Sequence, residues 1–166
     1  FDGAGISLQW TYGTLNPRNA GAPTGSLLLV DQGVFAPRKG IRLDDVAWLD
    51  VPAGCASGEV CKLHVFLHGC GSSYAEIREP GWAAYCGHRM WSDTNNIILL
   101  FPQALPDPTH RQGCFDTNAW SGTDYNQKGG PQMATIMGMV AKIGSGYSPT
   151  TTPDLNQHGL TGSWYE

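Results

Sequence analysis

Charge is what this sequence has least of. Asp, Glu, Lys and Arg make up 14% of its 166 residues, against roughly 25% in an average globular protein. The net charge of −4 and the acidic pI near 5.6 argue against nucleic acid as the main partner. Long hydrophobic runs are also missing. The longest, Ile-Ile-Leu-Leu-Phe at residues 97–101, has the length of a buried strand, far short of the roughly 20 residues of a membrane-spanning helix. No membrane association is expected. There is no internal repeat and no Gly-X-Ser-X-Gly elbow anywhere in the chain. No second cysteine pair stands at zinc-finger spacing, so no metal or cofactor is expected. The chain begins at Phe1 without a Met or a leader and stops at Tyr165-Glu166, just after a turn-like Gly162-Ser163. It therefore reads as part of a larger protein.

What is present is one domain's length of chain with 41% hydrophobic residues, which argues against disorder throughout. Gly (22) and Pro (11) are abundant, and turns should be many. Five cysteines stand at positions 55, 61, 70, 86 and 114. Spaced cysteines in a chain of low charge suit a secreted protein. Cys55 and Cys61 bound the short segment Cys-Ala-Ser-Gly-Glu-Val-Cys, where Ser57-Gly58 supplies turn chemistry able to bring two sulfurs together. A disulfide is the expectation there, with free thiols and metal ligation as the alternatives.

The apolar pattern predicts an α/β chain with a mostly parallel sheet flanked by helices. Asp2 is placed to cap a helix with apolar Ile6, Leu8, Trp10 and Leu15, ended by Gly13 and Pro17. Residues 26–30 and 62–67 read as strands. Residues 46–51 read as an outer strand ending at Pro52. Residues 74–91 read as helical but broken by Pro80-Gly81. Residues 96–101 are the clearest buried strand, stopped by Pro102. Residues 103–128 are loop-rich. Residues 131–143 form the best helix, with Pro131 at its start and Met133, Ile136, Met137 and Val140 as its apolar face. Residues 1–146 are read as one unit, 147–157 as a Pro/Thr linker and 158–166 as the start of a further module, its Trp-Tyr pair resembling repeat modules of some secreted proteins.

In parallel α/β sheets, sites gather at the carboxyl ends of strands. The turn after residues 62–67 is His68-Gly69-Cys70-Gly71. In α/β hydrolases a Gly-rich turn beginning His-Gly presents a backbone N–H to the oxyanion that forms when an ester is attacked. The alternative is an ordinary strand-to-helix turn. A nucleophile is not legible. Gly71-Ser72-Ser73 lies in the turn itself, and residues two apart, such as Cys86 and His88, point apart on a helix. Cys86 reads as a core thiol and His88 as a surface imidazole. His64 reads as packed or half-exposed on its strand. His110 and His158 have no acidic partner that spacing identifies, and Asp44, Asp45, Asp107, Asp116 and Asp124 stay unassigned.

The run from Cys55 through Lys62-Leu-His-Val-Phe-Leu to His68-Gly-Cys70 resembles the extracellular poly(3-hydroxybutyrate) depolymerases. So do Trp91-Ser-Asp-Thr-Asn-Asn-Ile-Ile98, Phe101-Pro-Gln103, Gly113-Cys114-Phe115-Asp116, Gly129-Gly-Pro-Gln-Met133 and the opening Phe1-Asp-Gly-Ala-Gly5. The resemblance implies a circularly permuted α/β-hydrolase in which Ser, Asp and His precede a segment like Phe1-Asp2-Gly3. The present chain is then a C-terminal part lacking the triad, its partner the missing N-terminal half of the same domain. It implies that Cys70 pairs with Cys114, that the Cys70 N–H donates to the oxyanion, and that His68 supports the turn. Phe115, Trp120 and Tyr125 become candidates to line a cleft for a polyester or small ester, with loop packing as the alternative. Phe115 stands where the family usually has Trp, and Cys86 occupies a position the family does not suggest. Two other readings stand beside this one: a related esterase of different substrate, and a non-catalytic remnant of the fold.

Overall fold

The computed structural model describes residues 1–108 and 111–146. The expected linker (147–157) and further module (158–166) lie outside the described residues, as do His110 and His158.

A mixed four-stranded sheet organises the chain in the order β1 (Ser26–Asp31), β2 (Val46–Val51), β4 (Ile97–Phe101), β3 (Lys62–Val65). β1 pairs antiparallel with β2, and β2 antiparallel with β4. Only β3 and β4 run parallel, with Leu63 opposite Ile98 and Val65 opposite Leu100. The expected mostly parallel sheet is therefore corrected among these strands. The reason lies in the connections. A parallel neighbour needs a crossover, usually helical. Residues 66–96 supply one with α3 (Tyr74–Ile77), α4 (Gly81–Tyr85) and α5 (His88–Asn95). Residues 32–45 contain only the 3₁₀ turn Gly33–Phe35, so the chain returns antiparallel.

β2 was expected at the rim and lies inside the sheet. Its alternation serves both faces. Val46 and Trp48 join Leu29, Ile97, Leu99 and Phe101 on one face, under Leu8 of α1 (Gly3–Tyr12) and Ala83 of α4. Ala47 and Leu49 join Leu100 on the other, under Ile136 and Met139 of α6 (Pro131–Gly144). Pro52 follows the last paired residue, so no ladder hydrogen bond is lost, and it opens the short α2 (Ala53–Ala56). Asp50 is buried on β2 because Arg89 Nε lies 2.7 Å from one oxygen and Ser92 Oγ donates to the other at 2.8 Å. Burial nonetheless pushes the Asp50 carboxyl above its usual range, against the pull of Arg89 and Ser92.

α1 starts as predicted: Asp2 accepts the Gly5 N–H at 2.8 Å, and Gly13 ends the helix. Only Leu8 of its apolar residues is fully buried; Trp10 is 92% exposed. α1 is held to α5 by Trp91 Nε1, which donates to Asp2 at 3.1 Å. α6 also begins as predicted, with Pro131 in its first turn. Its buried face is Gln132, Thr135, Ile136 and Met139, while Met133 (45%) and Met137 (51%) face outward. Periodicity found the helix but misjudged its rotation by part of a turn. Gln132 is drawn inward by donating to Ile41 O and accepting the Asp116 N–H, both at 2.8 Å.

Candidate functional site

The chain leaves β3 through Phe66 and Leu67 and turns at residues 68–71, at the carboxyl end of the strand that has a parallel neighbour. His68 is 6% exposed, and both ring nitrogens are engaged. Nδ1 lies 2.8 Å from the Gly69 carbonyl oxygen, and Nε2 accepts the Ala104 N–H at 3.1 Å. A carbonyl only accepts and an amide N–H only donates, so the ring is the neutral Nδ1–H tautomer. Burial holds its pKa below the ordinary histidine value, although the Gly69 hydrogen bond and Glu76 pull the other way. The ring packs on Phe115, with centroids 4.9 Å apart.

Cys70 and Cys114 are joined by a disulfide, as are Cys55 and Cys61; Cys86 is free. The first bridge ties the turn to the loop that carries Phe115. That loop is further pinned where the Gly71 N–H donates to the Gln112 carbonyl at 2.6 Å. Gly113 makes the approach possible. Its φ is +49°, and a Cβ there would stand 2.7 Å from Ser73 Oγ. Ser73, fully buried before α3, donates to Glu76 at 2.9 Å, while the Tyr74 N–H donates to Gln103 Oε1 at 2.8 Å. The Cys70 N–H has no acceptor among the described residues, and Cys70 is exposed. The turn thus carries the Cys70 N–H, and the Gly69 N–H before it, without an acceptor among the described residues, on exposed residues of a braced backbone.

The aromatic candidates are only partly brought together. Phe115 meets His68. Trp120 is half-buried and stacks under the Arg42 guanidinium, 5.3 Å from it, and Arg42 is paired with Asp107. Asp116 holds Trp120 in place. Its oxygens accept N–H groups from Asn118, Trp120 and Ser121, plus the Ser121 hydroxyl. Burial opposes its ionisation, but these donors hold its carboxyl below the usual range. Sequence reasoning left Asp116 unassigned. The signal was present as an Asp at the head of a loop, with Asn118 and Ser121 two and five positions on. Tyr125 is half-buried in a separate tight turn, its N–H donating to Gly122 O. A cavity of about 480 Å³ lies elsewhere, between β1, the sheet and α6, and none of these residues lines it.

One Ser–His contact occurs among the described residues, Ser7 Oγ to His88 Nε2 at 3.3 Å. It is not a catalytic pair. The Ser7 hydroxyl donates to Ala4 O, and His88 Nδ1 faces Cys86 Sγ at 3.2 Å rather than a carboxylate. This corrects two expectations. His88 is buried, not a surface imidazole, and it touches Cys86. The two residues share no helix: α4 ends at Tyr85, and Gly87 with φ 83° turns the chain so that both side chains converge. Burial raises the Cys86 thiol and lowers His88, so neither carries charge at neutral pH. His64 is half-buried as expected, its Nδ1 3.2 Å from Tyr12 OH.

Fold and site together define an α/β protein with a disulfide-braced turn at the end of its parallel strand. No protein-family model matches the chain. Over 159 residues it is 43% identical to a polyhydroxybutyrate depolymerase of Talaromyces funiculosus, covering 89% of this chain and 46% of that protein. Over 157 residues it is 40% identical to a poly(3-hydroxybutyrate) depolymerase of Delftia acidovorans, covering 93% of this chain and 31% of that protein. The crystal structure of a PHB depolymerase from Penicillium funiculosum superposes with a TM-score of 0.82 at 42% identity, over 89% of this chain and 49% of that one. A PHB depolymerase complexed with an R3HB trimer matches to the same extent. The chain is thus a homologue of the polyhydroxybutyrate depolymerases, and it spans between about a third and half of the length of those it matches.

Proposed function

We propose that this chain is the oxyanion-hole half of a secreted serine-type esterase acting on poly(3-hydroxybutyrate)-type polyester. The observation that carries this reading is the N–H of exposed Cys70, without an acceptor among the described residues, on a turn braced by a disulfide and a buried histidine. Attack by a serine on an ester carbonyl places negative charge on the carbonyl oxygen. A donor fixed before that charge develops stabilises the transition state more than one that must reorganise. Ser, Asp and His are assigned to the half of the relatives that this chain does not span, in the permuted order. Ser73 does not serve as that nucleophile, since it is buried and bonded to Glu76. Residues 1–146 form the catalytic-domain part, 147–157 a linker and 158–166 the opening of another module.

Substrate lies along Phe115 and Trp120, with Tyr125 further along the same loop region. The R3HB trimer bound by one structural relative supports a polyester of this chemistry. The two disulfides support an oxidising, extracellular setting. The missing half covers what the sheet leaves open. β3 is the terminal strand of the sheet, and Trp10 and Ile6 of α1 are exposed.

The test is hydrolysis of a chromogenic short-chain ester and of a poly(3-hydroxybutyrate) suspension. The chain joined to the half found in its relatives should turn over both. Residues 1–166 alone should show only the uncatalysed rate. Turnover by the chain alone, abolished by Ser73→Ala, would overturn the assignment of the nucleophile.

A further inference from the structure

We propose that Arg42 is a positioning residue that sets the orientation of the Trp120 ring, and through it the preference of the site for a polyester chain over a short ester. This rests on the esterase reading above, in which Trp120 lines the cleft. The Arg42 guanidinium lies over the Trp120 ring, 5.3 Å from its centroid, and its Nε is paired with the Asp107 carboxylate. Arg42 and Asp107 are both half-buried. A cation shielded from water is held to an aromatic face more strongly than an exposed one. The backbone is strained on both sides of this contact. Arg42 has a φ of +59°, and Ala119, just before Trp120, a φ of +62°. A residue with a Cβ stays in this left-handed region only where its surroundings hold it there, and such strain gathers where geometry matters to function.

Further contacts join residues 38–42 to the loop after Cys114. Arg38 Nη2 donates to the Ser121 carbonyl. Gln132 bridges the two segments by donating to Ile41 O and accepting the Asp116 N–H, both at 2.8 Å. Asp116 in turn accepts the Trp120 N–H at 3.1 Å. These bonds act on the backbone of the loop, whereas the Arg42 contact acts on the ring itself. The same segment also places the ring relative to the turn. Leu43, next to Arg42, bridges Ala104, whose N–H reaches His68, and the Arg42 carbonyl accepts the Leu105 N–H at 2.9 Å. Ring and turn are thus registered through one stretch of backbone just beyond β4. Trp120 is half-buried, so part of its indole stays open. A polyester chain offers methyl and methylene groups and ester carbonyls, with no charge along its length. It gains from an aromatic wall oriented before binding, because no side-chain freedom is then lost. A short ester that fills only the turn gains little from such a wall.

The test uses the complete esterase with a chromogenic short-chain ester and a linear 3-hydroxybutyrate trimer, and melting temperature is measured alongside. Arg42→Met keeps an apolar stem against the indole and removes the charge. It should raise KM for the trimer about tenfold with kcat within about twofold, because the binding lost is made equally in the ground and transition states. Both constants for the short ester should stay within about twofold. In a Trp120→Ala background, Arg42→Met should change KM for the trimer by less than about twofold, since the ring through which it acts is gone. Equal changes for the two esters, or a tenfold effect that persists without Trp120, overturns the proposal. Arg42→Lys keeps a charge beside Asp107 and loses the planar guanidinium, and should raise KM for the trimer at least about threefold. Should Arg42→Met fail to fold, an unchanged KM in Arg42→Lys overturns the proposal instead. An unsubstituted enzyme that hydrolyses neither ester overturns the esterase reading as well. Turnover of both esters with variants that do not differ overturns the positioning role alone.

Discussion

The two disulfides differ in what they should contribute, and the difference can be worked from the chain. Cys70 and Cys114 are 44 residues apart in sequence, Cys55 and Cys61 only 6. Cross-linking restricts the unfolded chain by an entropy that grows with the logarithm of the loop, which gives about 4 kcal/mol for the long bridge and about 2 kcal/mol for the short one. Replacing both cysteines of a pair by Ala should therefore destabilise the protein about 2 kcal/mol more for Cys70 and Cys114 than for Cys55 and Cys61. The assay is guanidinium unfolding followed by tryptophan fluorescence, with the slope of the transition compared as well as its midpoint. The long bridge also ties the turn at residues 68–71 to the loop of Phe115. Its loss should lower ester turnover in the complete enzyme, whereas loss of the short bridge should leave turnover within about twofold. Equal destabilisation by the two double substitutions would refute the loop-length argument. Intact turnover without the long bridge would refute its role in bracing the turn.

Gly113→Ala should cost stability and loosen the same loop, because a Cβ must enter within 2.7 Å of Ser73 Oγ on a backbone with φ of +49°. A loss of about 1–3 kcal/mol in the same unfolding assay is expected, and an unchanged midpoint would show that Ser73 gives way freely. Acid should destabilise the fold through its buried imidazoles. His64, His68 and His88 all have pKa values lowered by burial. The unfolded chain therefore binds protons that the native state resists. Stability should hold level above about pH 6.5 and fall as pH drops below it, through the native values. Asp2, Asp93 and Asp116, also lowered, add to the loss only near and below their unfolded value of 3.8. Unfolding free energies at pH 7 and pH 5 check this, and equal values would contradict the burial of the three rings.

The elements were largely legible from local chemistry. Asp2 capping α1, Pro131 opening α6, the apolar run of β4 and the break at Pro80-Gly81 all act over a few residues, and the structure places them as read. The His-Gly-Cys-Gly turn was legible as a candidate site because its place after a strand is a local property. The pairing of Cys70 with Cys114 came from family resemblance, since spacing alone leaves several pairings open. Strand direction was misread, because apolar runs mark burial on both faces and do not distinguish a parallel strand from an antiparallel one inside a sheet. The rotation of α6 was misread because Gln132 is drawn inward by Ile41 and Asp116, partners 91 and 16 residues away.

Local chemistry thus accounts for most of the elements and for the turn after β3. These depend on residue type and near neighbours. What each polar group faces depends on the closed fold. It gives His68 to Ala104 and Gly69, Gly71 to Gln112, Asp116 to the loop of Trp120, and His88 to Cys86 and Ser7. Three of these contacts, His68 to Ala104, Gly71 to Gln112 and His88 to Ser7, join residues far apart along the chain. A hydrogen bond selects its partner by distance and angle, and those exist only once the sheet and its helices have closed around it.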